Sequence, residues 1–569
     1  MKKAQRPKPS LFSELRRRRL IQTTAAYAAF VFITLQVAQL VLPALKLPGG
    51  TYNVLVIVLL AAFPVVFTLS WIFDVTPEGL RRTLPFMAEK ADPVAAALDE
   101  PPLDPNQLDS IAVLPFVDMS PAKDQEYFSD GLTEELLNLL AKRNGLRVAA
   151  RTSSFAFKGR NEDVREIGRK LRVSTVLEGS IRKSGNRLRV SALLIKTADG
   201  FRLWSETYDR ELEDIFDIQD EISRAIVSSM QLALADEAPA IKRTALPAHE
   251  LYLLGLFHYN RMTEVDIVEA VSFFQRAIDE DAGYAQAYVG LARAYSWQLL
   301  YQRAKPLELL PRARDAAIKA QQLDPGLSEA YAARGYVEHH LDWDLEAAEQ
   351  SYRRALDLNP NLAHVYGDRA ELLWSFARLD DSYEMVRQGL TLDPLSIRLH
   401  VLLAVTLMFQ RNYEASVAVY ERAIPLCQGS PLIHLWMAVG PLMLARYADR
   451  AETELAKFAE LSGEDPAGWT VFARALASPG EQAAALTRLA EMPPDRLGGS
   501  YMVAGMYSML GATEQAIDWL ETAVDERQVY VHSLLVEPWF AEMHKHPRFV
   551  RLLHRTGLAG IKREAGQPM

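Results

Sequence analysis

Few side chains in this chain are of a type and spacing that could do chemistry. His339-His340 and His544-Lys-His546 are the close histidine pairs. Zinc asks for three or four ligands with supporting partners behind them, so neither pair is a metal centre by itself. Glu134-Glu135 has the look of a paired carboxylate, but adjacent helical residues point about 100 degrees apart and do not converge on one atom. They are expected on a solvated face near a helix N-terminus, where negative charge is favourable. Cys427, the single cysteine, cannot form an internal disulfide and is expected as a small buried hydrophobe. No Gly-x-x-x-x-Gly-Lys-Ser/Thr, Gly-x-Ser-x-Gly or His-Glu-x-x-His occurs, so three common catalytic frameworks lack their local signature. The expected reading is a binder with no catalytic site and no cofactor.

The elements that would present such side chains are helical repeats. Ala320-Gln-Gln-Leu-Asp-Pro325, Ala355-Leu-Asp-Leu-Asn-Pro360 and Gly389-Leu-Thr-Leu-Asp-Pro394 recur every 34 to 35 residues, the period of a solenoid of paired helices. In the unit ending at Pro360, Tyr331, Gly335, Ala348, Tyr352 and Ala355 hold the small and aromatic packing positions; Tyr366 and Ala370, and then Leu403, Ala404, Tyr413, Tyr420 and Ala423, continue the pattern. These markers resemble tetratricopeptide repeats, which implies an all-α solenoid over 248–454. Degenerate repeats and a closing helix containing Pro547-Arg-Phe-Val-Arg-Leu-Leu553 follow over 455–566. Each pair buries its apolar face only by stacking on a neighbour, and stacking leaves a concave surface. Helix phase places Arg293, Trp297, Tyr336, His340, Glu371, Trp374, Arg398 and Phe409 on that groove, where aromatic and arginine side chains suit a protein partner. The competing assignment is packing between repeats or a solvated surface.

At 569 residues with 49% hydrophobic content the chain is long enough for several domains. The formal net charge of -9 gives nucleic-acid binding no support. A basic tail over 1–19 precedes an apolar stretch from Leu20 to Leu45, and a second runs from Val54 to Phe73 within 51–73. Both have the roughly 20 residues that a transmembrane helix needs. With Lys46 the sole positive residue between them and Arg16 to Arg19 and Arg81-Arg82 outside, the expectation is a helical hairpin in the bacterial inner membrane. It would contact lipid, and its soluble domains would lie in the cytoplasm, or in the periplasm as the alternative. Polar residues on the first stretch also allow a homo-oligomer. Residues 83–108, acidic and with five prolines, read as a linker.

Alternating strand and helix patterns over 109–238 predict a small α/β domain. Strands are expected at Ser110 to Phe116, Leu146 to Ala150, Ser174 to Arg182 and Arg187 to Thr197, with helices at Glu126 to Leu140 and Val164 to Leu171. Ile111-Ala-Val-Leu-Pro-Phe116, Glu126-Tyr-Phe-Ser-Asp-Gly-Leu-Thr-Glu-Glu-Leu136, Val176-Leu-Glu-Gly-Ser180 and Leu203-Trp-Ser-Glu-Thr-Tyr208 resemble the amino-terminal domain of TolB and its relatives. That resemblance implies a protein-interaction module without a catalytic role. The wider order of segments is similar to the non-catalytic half of bacterial class III adenylate cyclases and of membrane-tethered winged-helix regulators. In those relatives a cyclase or DNA-binding domain precedes the membrane, and the twenty or so residues before the first apolar stretch are expected to be too few for either. The resulting expectation is a membrane-anchored scaffold or signalling component that recruits a protein through its repeats. The alternatives are a non-catalytic or diverged member of the adenylate cyclase lineage and a small-ligand sensor.

Overall fold

The computed structural model describes residues 109–561 apart from 144, 231–243, 301–305, 427–430, 464–466 and 492–498; before that it describes Thr34, Val56, Leu59 and two short strands. It falls into two compact units, Met1–Leu98 and Asp99–Met569.

In the first unit, β1 (Phe73–Thr76) pairs antiparallel with β2 (Gly79–Arg82). Among the described residues no helix is long and apolar enough to cross a membrane. This overturns the expected two-pass placement in the inner membrane. The two apolar stretches lie outside the described residues except for Thr34, Val56, Leu59 and Phe73. Phe73, expected to close the second helix, instead opens β1, and the basic pair Arg81-Arg82 lies in β2 opposite Asp74 and Phe73. The local cause is the extended preference of Phe73 and Val75 beside Gly79, which hydropathy averaging over a long window does not register.

The second unit begins with a mixed sheet. Its strands are β3 (Ser110–Val113), β4 (Val117–Asp118), β5 (Arg147–Val148), β6 (Thr175–Ser184), β7 (Arg187–Lys196) and β8 (Arg202–Glu211), in the order β5-β3-β6-β7-β8 with β4 also on β6. β3 runs parallel to β5 and β6, whereas β6, β7 and β8 form an antiparallel meander. Helix α1 (Glu126–Ala141) crosses from β4 to the region of β5, followed by α2 (Arg151–Phe155) and α3 (Val164–Leu171). Asp163 caps α3 by accepting from the Arg165 amide, and Arg172 ends it in the left-handed region. Helix α4 (Ile215–Ser229) packs on β8 and α1.

The remainder is helical. The pairs are α5 (Leu246–Arg261) with α6 (Glu264–Glu280), α7 (Ala285–Leu300) with α8 (Pro306–Leu323), α9 (Ser328–Val337) with α10 (Leu345–Leu358), α11 (Ala363–Ser375) with α12 (Leu379–Leu392), and α13 (Ile397–Phe409) with α14 (Tyr413–Ala423). After them come α15 (Leu432–Met437), α16 (Ala448–Ser462), α17 (Ala467–Ala477), α18 (Gln482–Glu491), α19 (Ser500–Met509), α20 (Thr513–Asp525) and the closing α21 (Pro547–Arg555). Between α9 and α10 the chain makes a π-helical turn, Glu338–Asp342, and 3-10 turns at Val529–Ser533 and Pro538–Met543 lead from α20 to α21.

The sheet domain and the array are not separate globules. One apolar core runs from Ile111 and Val113 through Phe128, Leu132 and Leu136 of α1 into Leu253 and Leu256 of α5, and on to Leu341. Helix α1 is therefore covered on both sides, by the sheet and by the first helix of the array. Gly131 permits the approach: a Cβ there would stand 2.6 Å from Leu253 Cδ2.

Candidate functional site: the inner face of the array

The eight expected groove residues lie on α7, α9, α11 and α13 and, for His340, on the π-helical turn after α9, and none of the eight is exposed. Four of them form one cluster. Arg398 reaches Asp368 at 2.7 Å and Glu371 at 2.8 Å, Glu371 stands 3.7 Å from His340 Nε2, and the rings of Tyr336 and His340 lie 4.3 Å apart. Burial opposes the charge of Arg398, but Asp368 and Glu371 outweigh it and hold its pKa above the usual value. Burial pushes Glu371 up despite Arg398. Trp374 and Phe409 instead meet edge to face at 5.0 Å in the packing between repeats, with Trp374 Nε1 donating to Thr406 Oγ1 at 3.0 Å. Trp297 is half-buried against the shared core, and the Arg293 guanidinium lies 4.8 Å from the centre of the Tyr259 ring.

The segments just before α11 and α13 meet the chain's own sheet domain. Asn361, just after the Pro360 marker, accepts from the Val148 amide at 3.1 Å and donates to the carbonyls of Ala141 at 2.8 Å and Leu146 at 3.0 Å. One repeat later, Asp393 accepts from Ser153 Oγ at 2.5 Å, while Ser153 Oγ accepts from the Leu395 amide at 2.9 Å. Arg147 donates to Thr391 O at 3.0 Å, and the Ala150 amide to Leu392 O at 2.8 Å. Thus the β5–α2 edge of the sheet domain is seated on the chain at two successive repeat markers, on Asn361 just after the first and on Thr391 to Leu395 across the second.

A cavity of about 440 Å³ remains at this junction, lined by Glu134, Lys142 and Arg151 from the sheet domain and by Tyr252, Arg293, Glu329 and His364 from the array, among others. Glu134 accepts from Arg151 Nε at 2.8 Å and from Asn260 at 3.0 Å. Glu135 turns to a different set of partners, Gln219 and, at 3.4 Å, His249 Nε2. The two carboxylates diverge as adjacent helical residues must, but they do not lie on a solvated face. Helix α1 has its expected outer side against the array, so both become interface groups. Burial, followed by the Arg293 charge, pulls His364 down to about 4, so it is a neutral donor–acceptor in this cavity at neutral pH.

Cys427 lies outside the described residues. Of the two histidine pairs, His544 and His546 do not join a metal-type cluster among the described residues, whereas His339 and His340 meet His532 from the C-terminal segment. Asn361, Asp393, Ser153 and His532 were not marked by the sequence. The first two occupy loop positions that read only as repeat punctuation.

A tetratricopeptide family model matches residues 328–362 and 397–428. The helical pairs in these two spans, α9 with α10 and α13 with α14, are tetratricopeptide repeats. The model that matches residues 106–225 is described as the second domain of HilA/YgeH-like transcriptional regulators, and the TolB likeness has no such match behind it. Over 205 residues the chain is 40% identical to a protein of Rhizobium meliloti (strain 1021) named "Putative adenylate cyclase 3", covering 35% of each chain. It is 24% identical over 360 residues to Superkiller complex protein 3 of Mus musculus, covering 61% of this chain and 20% of that one. The chain thus spans about a third and a fifth of the length of these relatives. Among solved structures it is similar to one reported in a functional characterization of Pseudomonas aeruginosa pilF, with 21% identity, a TM-score of 0.30, and coverage of 36% of this chain and 89% of that one.

Proposed function

We propose that this protein is an interaction scaffold whose repeat groove is held by its own sheet domain, with a partner recruited at the charged cleft left between the two. The observation that carries the reading is the Asn361 side chain, which bridges three backbone groups of the sheet domain from the loop of a repeat. A tethered occupant acts at an effective concentration on the order of mM, so an incoming protein binds well only if it uses surface the sheet domain leaves open. The cavity, lined by acidic, basic and amide side chains, suits a short polar peptide segment. A photo-crosslinking residue in place of Asn138, which lines the cavity, should capture a discrete partner in cells, and loosening the seat with Asn361→Ala should change the yield. Adducts formed only from the outer face, for instance at the exposed Val265 of α6, would defeat the proposal.

A second reading is a non-catalytic or diverged member of the adenylate cyclase lineage, favoured by the 40% identity over 205 residues. Measuring cyclic AMP formation from ATP by the purified chain separates it: sustained turnover would replace the scaffold reading. A small-ligand sensor draws on the cavity volume, which falls within the roughly 300–1,000 Å³ of small-molecule sites. It would show as thermal stabilisation by a small polar metabolite without any protein adduct.

A further inference from the structure

Within the array three buried histidines lie against one another. His339 and His340 sit on the π-helical turn Glu338–Asp342, and His532 sits on the 3-10 turn Val529–Ser533 of the C-terminal segment. Their ring centroids are 4.0, 4.5 and 5.1 Å apart, and one ring nitrogen of each lies within 4.8 Å of the others. His339 is fully buried and His340 is 2% exposed. Neither ring nitrogen of either residue has a hydrogen-bond partner. Leaving a buried polar atom unpaired costs about 1–3 kcal/mol, so four such atoms side by side call for a ligand rather than for packing alone.

We propose that His339, His340 and His532 bind a divalent first-row transition-metal ion of the zinc type, which staples the C-terminal segment to the third repeat. Imidazole nitrogen is the donor these ions favour, at about 2.0–2.1 Å. Bringing nitrogens that already lie within 4.8 Å of one another onto that sphere takes movements of about an ångström. The π turn explains why neighbours in sequence can both ligate. Its wider winding brings the two rings to an interplanar angle of 34° on one side, and such turns recur at functional sites.

The surroundings are already anchored. Arg334 and Ser351 hold Glu338 at 2.7 and 2.5 Å, Arg527 Nη1 donates to Leu341 O at 2.5 Å, and Tyr501 meets Ser533 at 2.9 Å. Glu371, 3.7 Å from His340 Nε2 and tied to Arg398, is the carboxylate that would orient the His340 ring. The burial of all three histidines leaves a substrate no approach, so the ion's role is structural.

The test uses the full chain, stripped with a chelator and titrated with Co²⁺ and then Zn²⁺. One equivalent of Co²⁺ should bind with the visible bands of a nitrogen-ligated site and be displaced by Zn²⁺, and Zn²⁺ should raise the melting temperature by several degrees. His532→Gln should weaken binding at least 100-fold and abolish the shift, whereas the double variant His544→Gln/His546→Gln should behave as the wild type. X-ray absorption at the zinc edge of the wild-type protein counts imidazole ligands without any variant. Three would support the site. The proposal is overturned if the wild type takes up no stoichiometric ion, if fewer than three imidazoles are counted, or if His532→Gln and the wild type respond alike.

Discussion

Replacing Asn361 with alanine removes three hydrogen bonds in one step and strands the Val148 amide together with the Ala141 and Leu146 carbonyls. A net hydrogen bond contributes about 1 kcal/mol, and a stranded buried group costs more. Asn361 is half-buried, so water can reach part of the gap, and a total near 3 kcal/mol is expected. At about 1.4 kcal/mol per factor of ten, the opening of this edge should become roughly a hundred times more frequent. Hydrogen exchange resolves it directly: the Val148 amide should exchange about a hundredfold faster, while amides in the distant α19–α20 pair stay unchanged. Urea unfolding of the sheet domain should move in the same direction. The exposed Asn161→Ala serves as the control, with an effect within about 0.5 kcal/mol. If Asn361→Ala matches that control in both measurements, the chain at the repeat markers does not hold the sheet domain and the self-occupied groove is wrong.

Two further outcomes follow from buried charge. Glu537 is 5% exposed and burial lifts its carboxyl to about 8, with the Trp539 amide and Arg411 opposing. Between the ordinary value of 4.5 and about 8 the folded chain holds a proton that the unfolded chain has lost, so stability falls as pH rises through that window. Glu537→Gln should equal the wild type near pH 5 and exceed it by a few kcal/mol above pH 8, read from melting temperatures across pH; parallel profiles would refute this. Arg398→Met leaves Asp368 and Glu371 facing each other without their shared cation. Because the arginine side chain keeps 38% of its exposure, a loss on the order of 2 kcal/mol at pH 7 is expected instead of the larger cost of a fully buried pair. The loss should shrink in acid as Glu371, already raised by burial, takes up a proton; a pH-independent loss would point to packing alone.

The repeats were legible because each must bury the same stripe against the next, which forces small and aromatic residues such as Gly335, Tyr352 and Ala355 into a fixed period. The meander was legible only in part. β8 went unassigned because Arg202, Ser205, Glu206 and Thr207 make it polar on a largely exposed face, and only its pairing with β7 identifies it. Helix phase marked Arg398, Glu371 and His340 for one face, and the structure brings the three together, but nothing local in sequence says what they will face. Val148 and Asn361 are 213 positions apart, and no period or motif links them. The same holds for His532, whose neighbours in sequence are not histidines. The membrane expectation rested on the hydropathy of 20–45 and 51–73 with their basic flanks, and at the end of the second stretch the strand preference of Phe73 and Val75 took precedence.

The shared core also bears on how this chain emerges from the ribosome. The sheet and α1 are made first, yet Leu253 and Leu256, which cover the outer side of α1, belong to a helix made later. Asn361 and Asp393, which fix the β5–α2 edge, come later still. The nascent sheet domain must therefore wait with one apolar helix face uncovered. Its completion is tied to translation of the fourth helical pair, so a ribosome stalled before Asp393 would hold a partly finished fold that is prone to wrong contacts.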